Sequence, residues 1–421
     1  LLCILLIFAS QRFASNSYYA TEYYKPGEKQ GYRLSKLSKH FATHNNNKNY
    51  ESTVPTYNMT VTIADIVNAQ RQKIVEEMEF FEYPRDSENL AALTPETNGI
   101  PFRSVIITTW RSGSTFLGDI LNAMPGNYYH YEPLLDFDII QIRGAPHANR
   151  AIYNLKQLLK CNYTDMKDYL DFGVEHDYLF THNTRLWKYC RLYPQHCWDP
   201  NFLTPFCKLF PLQSMKVVRL RLALAEQLLI DPQLNVRIVL LIRDPRGTMQ
   251  SRKHRDWCPG NSDCDQAHLL CQDMVSDYYA AEILSKKYPQ DFKAVRYEDL
   301  SVDPFKMTEE ILNFYGLPLD PMVEEFLDTH TRNDIGGVSS TFRDSKSAPF
   351  HWMRDLTYEE IDNIQSSCTK AMELWRYRKM DDQQAKKKKL SSNLKYILLY
   401  LLYVIDGTNI YLFKLCFTLN N

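Results

Sequence analysis

The feature that most constrains this chain is the run Ser104-Val-Ile-Ile-Thr-Thr109, followed after Trp110 by Arg111-Ser-Gly-Ser-Thr115. β-branched residues give way to small polar ones, and a helical pattern begins near Phe116. A strand ending there must turn sharply and present successive backbone N–H groups. Gly113 permits the tight turn and the close approach of an anion. Ser112, Ser114 and Thr115 add hydroxyl donors, and Arg111 adds a full charge with a planar donor fork. The helix N-terminus directs its partial positive charge to the same spot. The stretch reads as a phosphate cradle, yet it lacks the Gly-Lys-Ser/Thr ending of an ATP or GTP site. A serine-rich turn that only caps a helix is the plainer alternative.

A second element of this kind is "RIVLLIRDPRGTMQSR", residues 237–252. Its apolar run Ile238–Ile242 delivers Arg243 at the carboxyl end of a strand, where open α/β sheets bind ligands. Pro245 suits a helix start, and Ser251 follows on that helix. Alone, this is an Arg-Asp surface turn. With the first element it makes two strand–loop–helix units, each suited to one phosphate-like group. The missing Walker lysine and the lack of an obvious magnesium carboxylate disfavour a nucleoside triphosphatase.

Further strand candidates lie at 127–131, 214–218 and 292–297, with helical patterns at 220–230, 267–287 and 305–315. Strands alternating with helices predict an α/β domain with a central parallel sheet covered by helices on both faces. This domain is assigned to residues 100–380. Residues 11–99 read as a stem, polar and unpatterned at first. Within it, residues 62–81 carry Ile63, Ile66, Val67, Ile74, Met78 and Phe81 at near-helical spacing, as a stem helix, a homodimer contact or a helix packed on the domain. Residues 1–10 are mostly apolar but short of the ~20 needed to span a bilayer, and read as part of a signal peptide or signal anchor. Residues 381–421, with four lysines at 386–389 and an interrupted apolar run, read as a non-native extension.

With net charge −1 over 421 residues, the chain does not suit a chain-wide grip on nucleic acid, and none is expected. Ten cysteines are present, and eight lie between Cys161 and Cys368. That even set suits disulfides in an oxidising compartment; zinc is the rival, although no Cys-x2-Cys pair occurs. Sequons at Asn58 and Asn162 agree with passage through the secretory pathway.

The pattern "TTWRSGSTF…YEPL…LLIRDPRGTMQSR…VRYEDL" resembles the Golgi carbohydrate sulfotransferases that modify the 6-hydroxyl of galactose, N-acetylglucosamine or N-acetylgalactosamine. The similarity spans roughly residues 100–377 and implies a P-loop-like sulfotransferase fold. It implies 3′-phosphoadenosine 5′-phosphosulfate (PAPS) as cosubstrate, no metal, and a type II protein of the Golgi membrane with a lumenal catalytic domain. Arg111, Ser112, Gly113, Ser114, Thr115 and Phe116 would hold the 5′-phosphosulfate. Arg243 and Ser251 would hold the 3′-phosphate, and Tyr297 would lie near the adenine unless it is a core tyrosine. In "STFRDSKSAPFHWMRDL", Arg343 and Ser345 are candidates to close over the cofactor. The acceptor would be a chondroitin, keratan or N-acetylglucosamine-bearing chain.

In-line sulfuryl transfer to an alcohol depends on positioning and charge stabilisation, by analogy with phosphoryl transfer, and the hydroxyl needs a base. "YYHYEPL" offers His130 and Glu132, which share one face of a strand. The resemblance favours Glu132, and desolvation would raise a carboxyl pKa toward the range that suits a base. His130 has the better intrinsic value, and simple pairing of Glu132 with a basic residue is the bland alternative. Arg111 would stabilise charge on the departing bridging oxygen. "SRKHRDW", with Arg246, offers Arg252, Lys253, His254, Arg255 and Trp257 as an acceptor rim or a solvated charge run. The sequence leaves open a P-loop kinase, a non-catalytic glycan-binding secreted protein, and transfer to tyrosine or another hydroxyl.

Overall fold

The computed structural model describes residues 61–83, 89–332 and 341–382. Five apolar runs bounded by turn residues form strands: β1 Phe102–Ile107, β2 Asn127–Tyr131, β3 Leu212–Val217, β4 Val236–Ile242 and β5 Phe292–Arg296. All lie close to the runs expected from sequence. They join in the order β2-β3-β1-β4-β5, and every neighbouring pair is parallel. Parallel strands need crossovers that cover both faces of the sheet, so β3 is buried throughout and β1 almost so. The winding reverses at β1, which has β3 on one side and β4 on the other. A crevice opens at the carboxyl ends of strands at such a point.

The helices expected at 220–230, 267–287 and 305–315 appear as Leu222–Leu229, Ala267–Lys287 and Pro304–Tyr315. The helix Pro245–Lys253 starts on its proline, and the Asp244 side chain accepts from the Arg246 N–H at 2.9 Å. The chain after Thr357 makes two helices rather than one, Tyr358–Ser367 and Thr369–Leu374. Ile361, Ile364, Cys368 and Met372 are buried there, as packing.

The helix Ile63–Glu77 opens with a capping box between Thr62 and Asp65. Its Ile66, Val67, Ile74 and the following Met78 join the main core. Of the readings left open by sequence for this helix, packing on the domain is the one observed. Residues 1–10, the stem to residue 60 with Asn58, and the tail from 383 lie outside the described residues. Among the described residues no helix is long and apolar enough to cross a membrane.

All eight clustered cysteines pair, as Cys161–Cys207, Cys190–Cys197, Cys258–Cys264 and Cys271–Cys368. Their thiols are consumed, which removes the zinc reading for them. Cys271–Cys368 closes a loop of sequence separation 97 and ties the long helix Ala267–Lys287 to the C-terminal helices. Loop-closure entropy assigns such a cross-link about 5 kcal/mol. The double variant Cys271→Ser/Cys368→Ser is expected to lose stability on that scale in urea unfolding. An unchanged midpoint would mean that the bond adds nothing.

Candidate active site

The two anion-binding elements converge on one cavity of about 1130 Å³. The loop after β1 turns at Arg111, φ 65°, and at Gly113, φ 85°, before the helix Ser114–Ala123. A β-carbon on Gly113 would lie 2.2 Å from the ring of Tyr297. Only glycine fits there, on both conformational and steric grounds. Gly113→Ala is expected to lower nucleotide affinity at least about 10-fold by pushing the loop off the ring, as calorimetric titration would show; unchanged affinity would mean that the loop's close packing is dispensable.

Arg111, Gly113, Ser114, Thr115 and Phe116 line the cavity, as do Arg243, Ser251, Tyr297, Arg343 and Ser345. Arg111 Nε donates to Ser251 Oγ at 3.0 Å, and Arg243 Nη1 donates to the Arg111 carbonyl at 3.0 Å. The loop after β1 and the turn after β4 thus touch directly. The Arg243 guanidinium lies 4.7 Å from the Tyr297 ring centroid, and its buried Nε has no hydrogen-bond partner among the described residues. Burial and the like charges of Arg255 and Arg243 bring the Arg111 pKa down to about 10. Crowding cations in a half-closed cavity is unfavourable unless an anion joins them.

Ser112 contributes differently from expectation. It is fully buried and does not line the cavity. Its Oγ lies 2.6 Å from Thr108 Oγ1, whose proton goes to the Leu241 carbonyl. The Ser112 hydroxyl must therefore donate to Thr108, which leaves it no proton for a ligand.

His130 and Glu132 part company. His130 lies within β2, opposite Met215, and is buried 4.9 Å from the Tyr128 ring rather than at the cavity. Burial, with Arg103 nearby, pushes its pKa down to about 3. The runner-up base is therefore withdrawn. Strand alternation would put Glu132 on the same face, but its backbone turns left-handed, φ 42°, and it lines the cavity. Arg111, Glu132 and Asp138, φ 60°, are three non-glycine residues in that strained region, and all three line the cavity.

The Glu132 carboxylate is clamped. Lys216 Nζ lies 2.9 Å from one oxygen and Arg219 Nη1 3.0 Å from the other. Burial alone would raise its pKa, but the two cations outweigh burial and hold it at about 2. The expectation of a raised pKa is thus reversed. Lys216, from β3, also lies 3.4 Å from Thr115 Oγ1 and 3.8 Å from the Tyr131 ring centroid. Sequence reasoning missed both Lys216 and Arg219. The available signal was a lysine inside an apolar strand candidate, since a buried charge must have a partner.

The acceptor rim shrinks. Arg252 is buried, donating to Thr109, Trp110 and Cys264. Arg246 pairs with Asp244 and lies against Trp352, and Lys253 pairs with Glu360. His254, Arg255 and Trp257 remain at the cavity.

Residues 101–387 match the sulfotransferase domain family. The chain belongs to this family. The match decides among the readings left open by sequence in favour of a sulfotransferase. The chain is similar to mouse carbohydrate sulfotransferase 3, 28% identical over 65% of this chain and 67% of that protein. It is also similar to mouse carbohydrate sulfotransferase 5, 26% identical over 66% and 81% respectively. Among solved structures it resembles the sulfotransferase domain from the Synechococcus PCC 7002 olefin synthase, with TM-score 0.38 and 18% identity over 66% of this chain and 96% of that one. Among the described residues no cluster of His, Cys, Asp or Glu is arranged to hold a metal ion.

Proposed function

We propose that this sulfotransferase moves the sulfuryl group of PAPS to a sugar 6-hydroxyl on a glycosaminoglycan or glycoprotein glycan, in the Golgi lumen. The reading rests on one observation, the contact of Arg111 with Ser251 at 3.0 Å. It brings a loop built for one anion against a turn built for another, as a nucleotide with separate 5′ and 3′ anionic groups requires. The residues suit that nucleotide. The orphaned Nε of Arg243 and the like charges of Arg243 and Arg255 pressing on Arg111 favour an anion there, and Gly113 gives the loop its tight turn.

In this reading the backbone from Arg111 to Phe116 and the hydroxyls of Ser114 and Thr115 hold the 5′ end. Arg243 and Ser251 hold the 3′-phosphate, Tyr297 supports both elements, and Arg343 and Ser345 cover the nucleotide. Bound PAPS supplies an activated sulfuryl group. Glu132 accepts a hydrogen bond from the acceptor hydroxyl, aligns it, and receives its proton as the new bond forms. Its low basicity is compatible with a loose transition state, in which the proton leaves late and alignment matters most. Lys216 balances charge beside Thr115, and Arg111 stabilises the departing oxygen.

The carbohydrate names of the relatives and the acidic and aromatic cavity wall support a sugar acceptor. The paired cysteines are compatible with an oxidising, lumenal location. A membrane anchor of which residues 1–10 form a part and a homodimer through the stem complete the proposal. The test is incubation of the full chain, expressed through the secretory pathway, with radiolabelled PAPS and desulfated chondroitin, keratan and N-acetylglucosamine-terminated chains, with EDTA present. Label on a glycan, mapped to the 6-position, is the expected result. Label on none of them would refute the acceptor class, and failure to bind 3′-phosphoadenosine 5′-phosphate (PAP) would refute the cofactor.

A further inference from the structure

The cavity wall beyond Glu132 has a chemistry that sulfuryl transfer itself does not require. Phe172 and His176 stack with ring centroids 4.0 Å apart and only 6° between their planes. Tyr178 meets His176 edge-on at 5.8 Å. All three line the cavity. The histidine is held in place, because its Nδ1 lies 2.9 Å from the Phe172 carbonyl. A carbonyl only accepts, so Nδ1 carries the proton and the ring stays against Phe172. Tyr178 is 44% exposed, so its ring is open to a ligand from the cavity side. The trio lines the same cavity as the clamped Glu132, and the charges of Arg219, Glu132 and Asp138 act on the Tyr178 hydroxyl.

Aromatic faces are apolar, while the nearby exposed Asp138 is an acceptor of hydrogen bonds. A pyranose combines the two complementary features. Its axial C–H groups make an apolar face that stacks on a ring, and its equatorial hydroxyls donate to a carboxylate. A sulfated or uronic sugar would instead bring an anion against Asp138 and lose solvation against the rings. From this juxtaposition we infer that Phe172, His176 and Tyr178 form an acceptor subsite for an uncharged pyranose next to Glu132, and select neutral hexose or N-acetylhexosamine over charged sugars there. The inference rests on the reading of the chain as a carbohydrate sulfotransferase. Any anionic groups of the acceptor belong farther along, toward His254 and Arg255.

The test compares the full chain with Tyr178→Ala, Phe172→Ala and Tyr178→Phe. Acceptor KM is measured at saturating PAPS for a neutral N-acetylglucosamine-terminated oligosaccharide, and PAP affinity by calorimetry. Both alanine variants are expected to raise acceptor KM roughly 10-fold with PAP affinity unchanged, and Tyr178→Phe, which keeps the ring, to recover most of the loss. An unchanged acceptor KM in Tyr178→Ala with intact PAP binding would overturn the subsite and leave the sulfotransferase reading standing. If Phe172→Ala loses PAP binding by misfolding, Tyr178→Ala, at an exposed position, decides alone. If the unaltered chain binds PAP yet sulfates no carbohydrate, the acceptor reading fails and the subsite falls with it.

Discussion

Arg111→Ala is expected to fold, to bind PAP and to turn over about 100- to 1000-fold more slowly, the scale for loss of one preorganised charge-stabilising donor, about 3 kcal/mol. The structure adds reasons for a large effect. Arg111 is held from two sides, its Nε on Ser251 and its carbonyl under Arg243. Little reorganisation is left for the reaction to pay. The guanidinium is also pressed by Arg243 and Arg255, so it is destabilised in the free protein and gains most when negative charge grows beside it. Its removal relieves that repulsion, so thermal stability should hold while kcat falls. Single-turnover kinetics with labelled PAPS separate the two, and a wild-type rate would remove Arg111 from the chemistry.

Glu132→Gln should strike both stability and turnover. The substitution leaves Lys216 and Arg219 buried around a neutral amide, and breaking a buried pair in this way costs about 3 to 5 kcal/mol. Turnover should fall about 100-fold or more with the loss of the group that aligns the hydroxyl and takes its proton. A destabilised variant with normal kcat would make Glu132 a purely structural partner of the two cations. The pH dependence carries a sign. The folded-state pKa, about 2, lies below the ordinary 4.5, so the stabilisation is complete above about pH 4.5 and disappears as pH falls toward 2. Acid unfolding of the wild-type protein should steepen in that window and lose that component in Glu132→Gln. Any acid limb in activity near neutrality must come from a group other than Glu132.

Much of this was legible in the residues because local signals agreed. The apolar runs at 104–109 and 238–242 could be neither amphipathic helices nor exposed strands, and each ended in residues that only a tight, anion-facing turn explains. What escaped was long-range pairing. Ser112 looked like a donor because its partner Thr108 is committed elsewhere by Leu241, 133 residues away from Thr108. His130 and Glu132 looked equivalent because alternation was extended one residue past the end of β2, where the backbone reverses hand. Lys216 comes from β3 and Arg219 from just beyond it, far along the chain from the carboxylate they clamp. The arginine-rich stretch after Arg243 was over-read for the same reason, since Arg246 and Arg252 spend their charge on packing partners invisible in sequence.

The reversal of winding at β1 divides labour along the polypeptide. Groups assigned to the nucleotide follow β1, β4 and β5, on one side of the crevice, whereas Glu132, the aromatic trio, Lys216 and Arg219 lie between the end of β2 and the residues just after β3. A single continuous stretch, roughly residues 127–220, thus carries Glu132, its two cations and the aromatic residues proposed for the acceptor, with only His254, Arg255 and Trp257 coming from elsewhere. Insertions and substitutions there can retune which hydroxyl compound is modified without disturbing the donor half. The architecture gives a lineage a way to diversify its products by drift in one contiguous segment while inheriting its reagent unchanged.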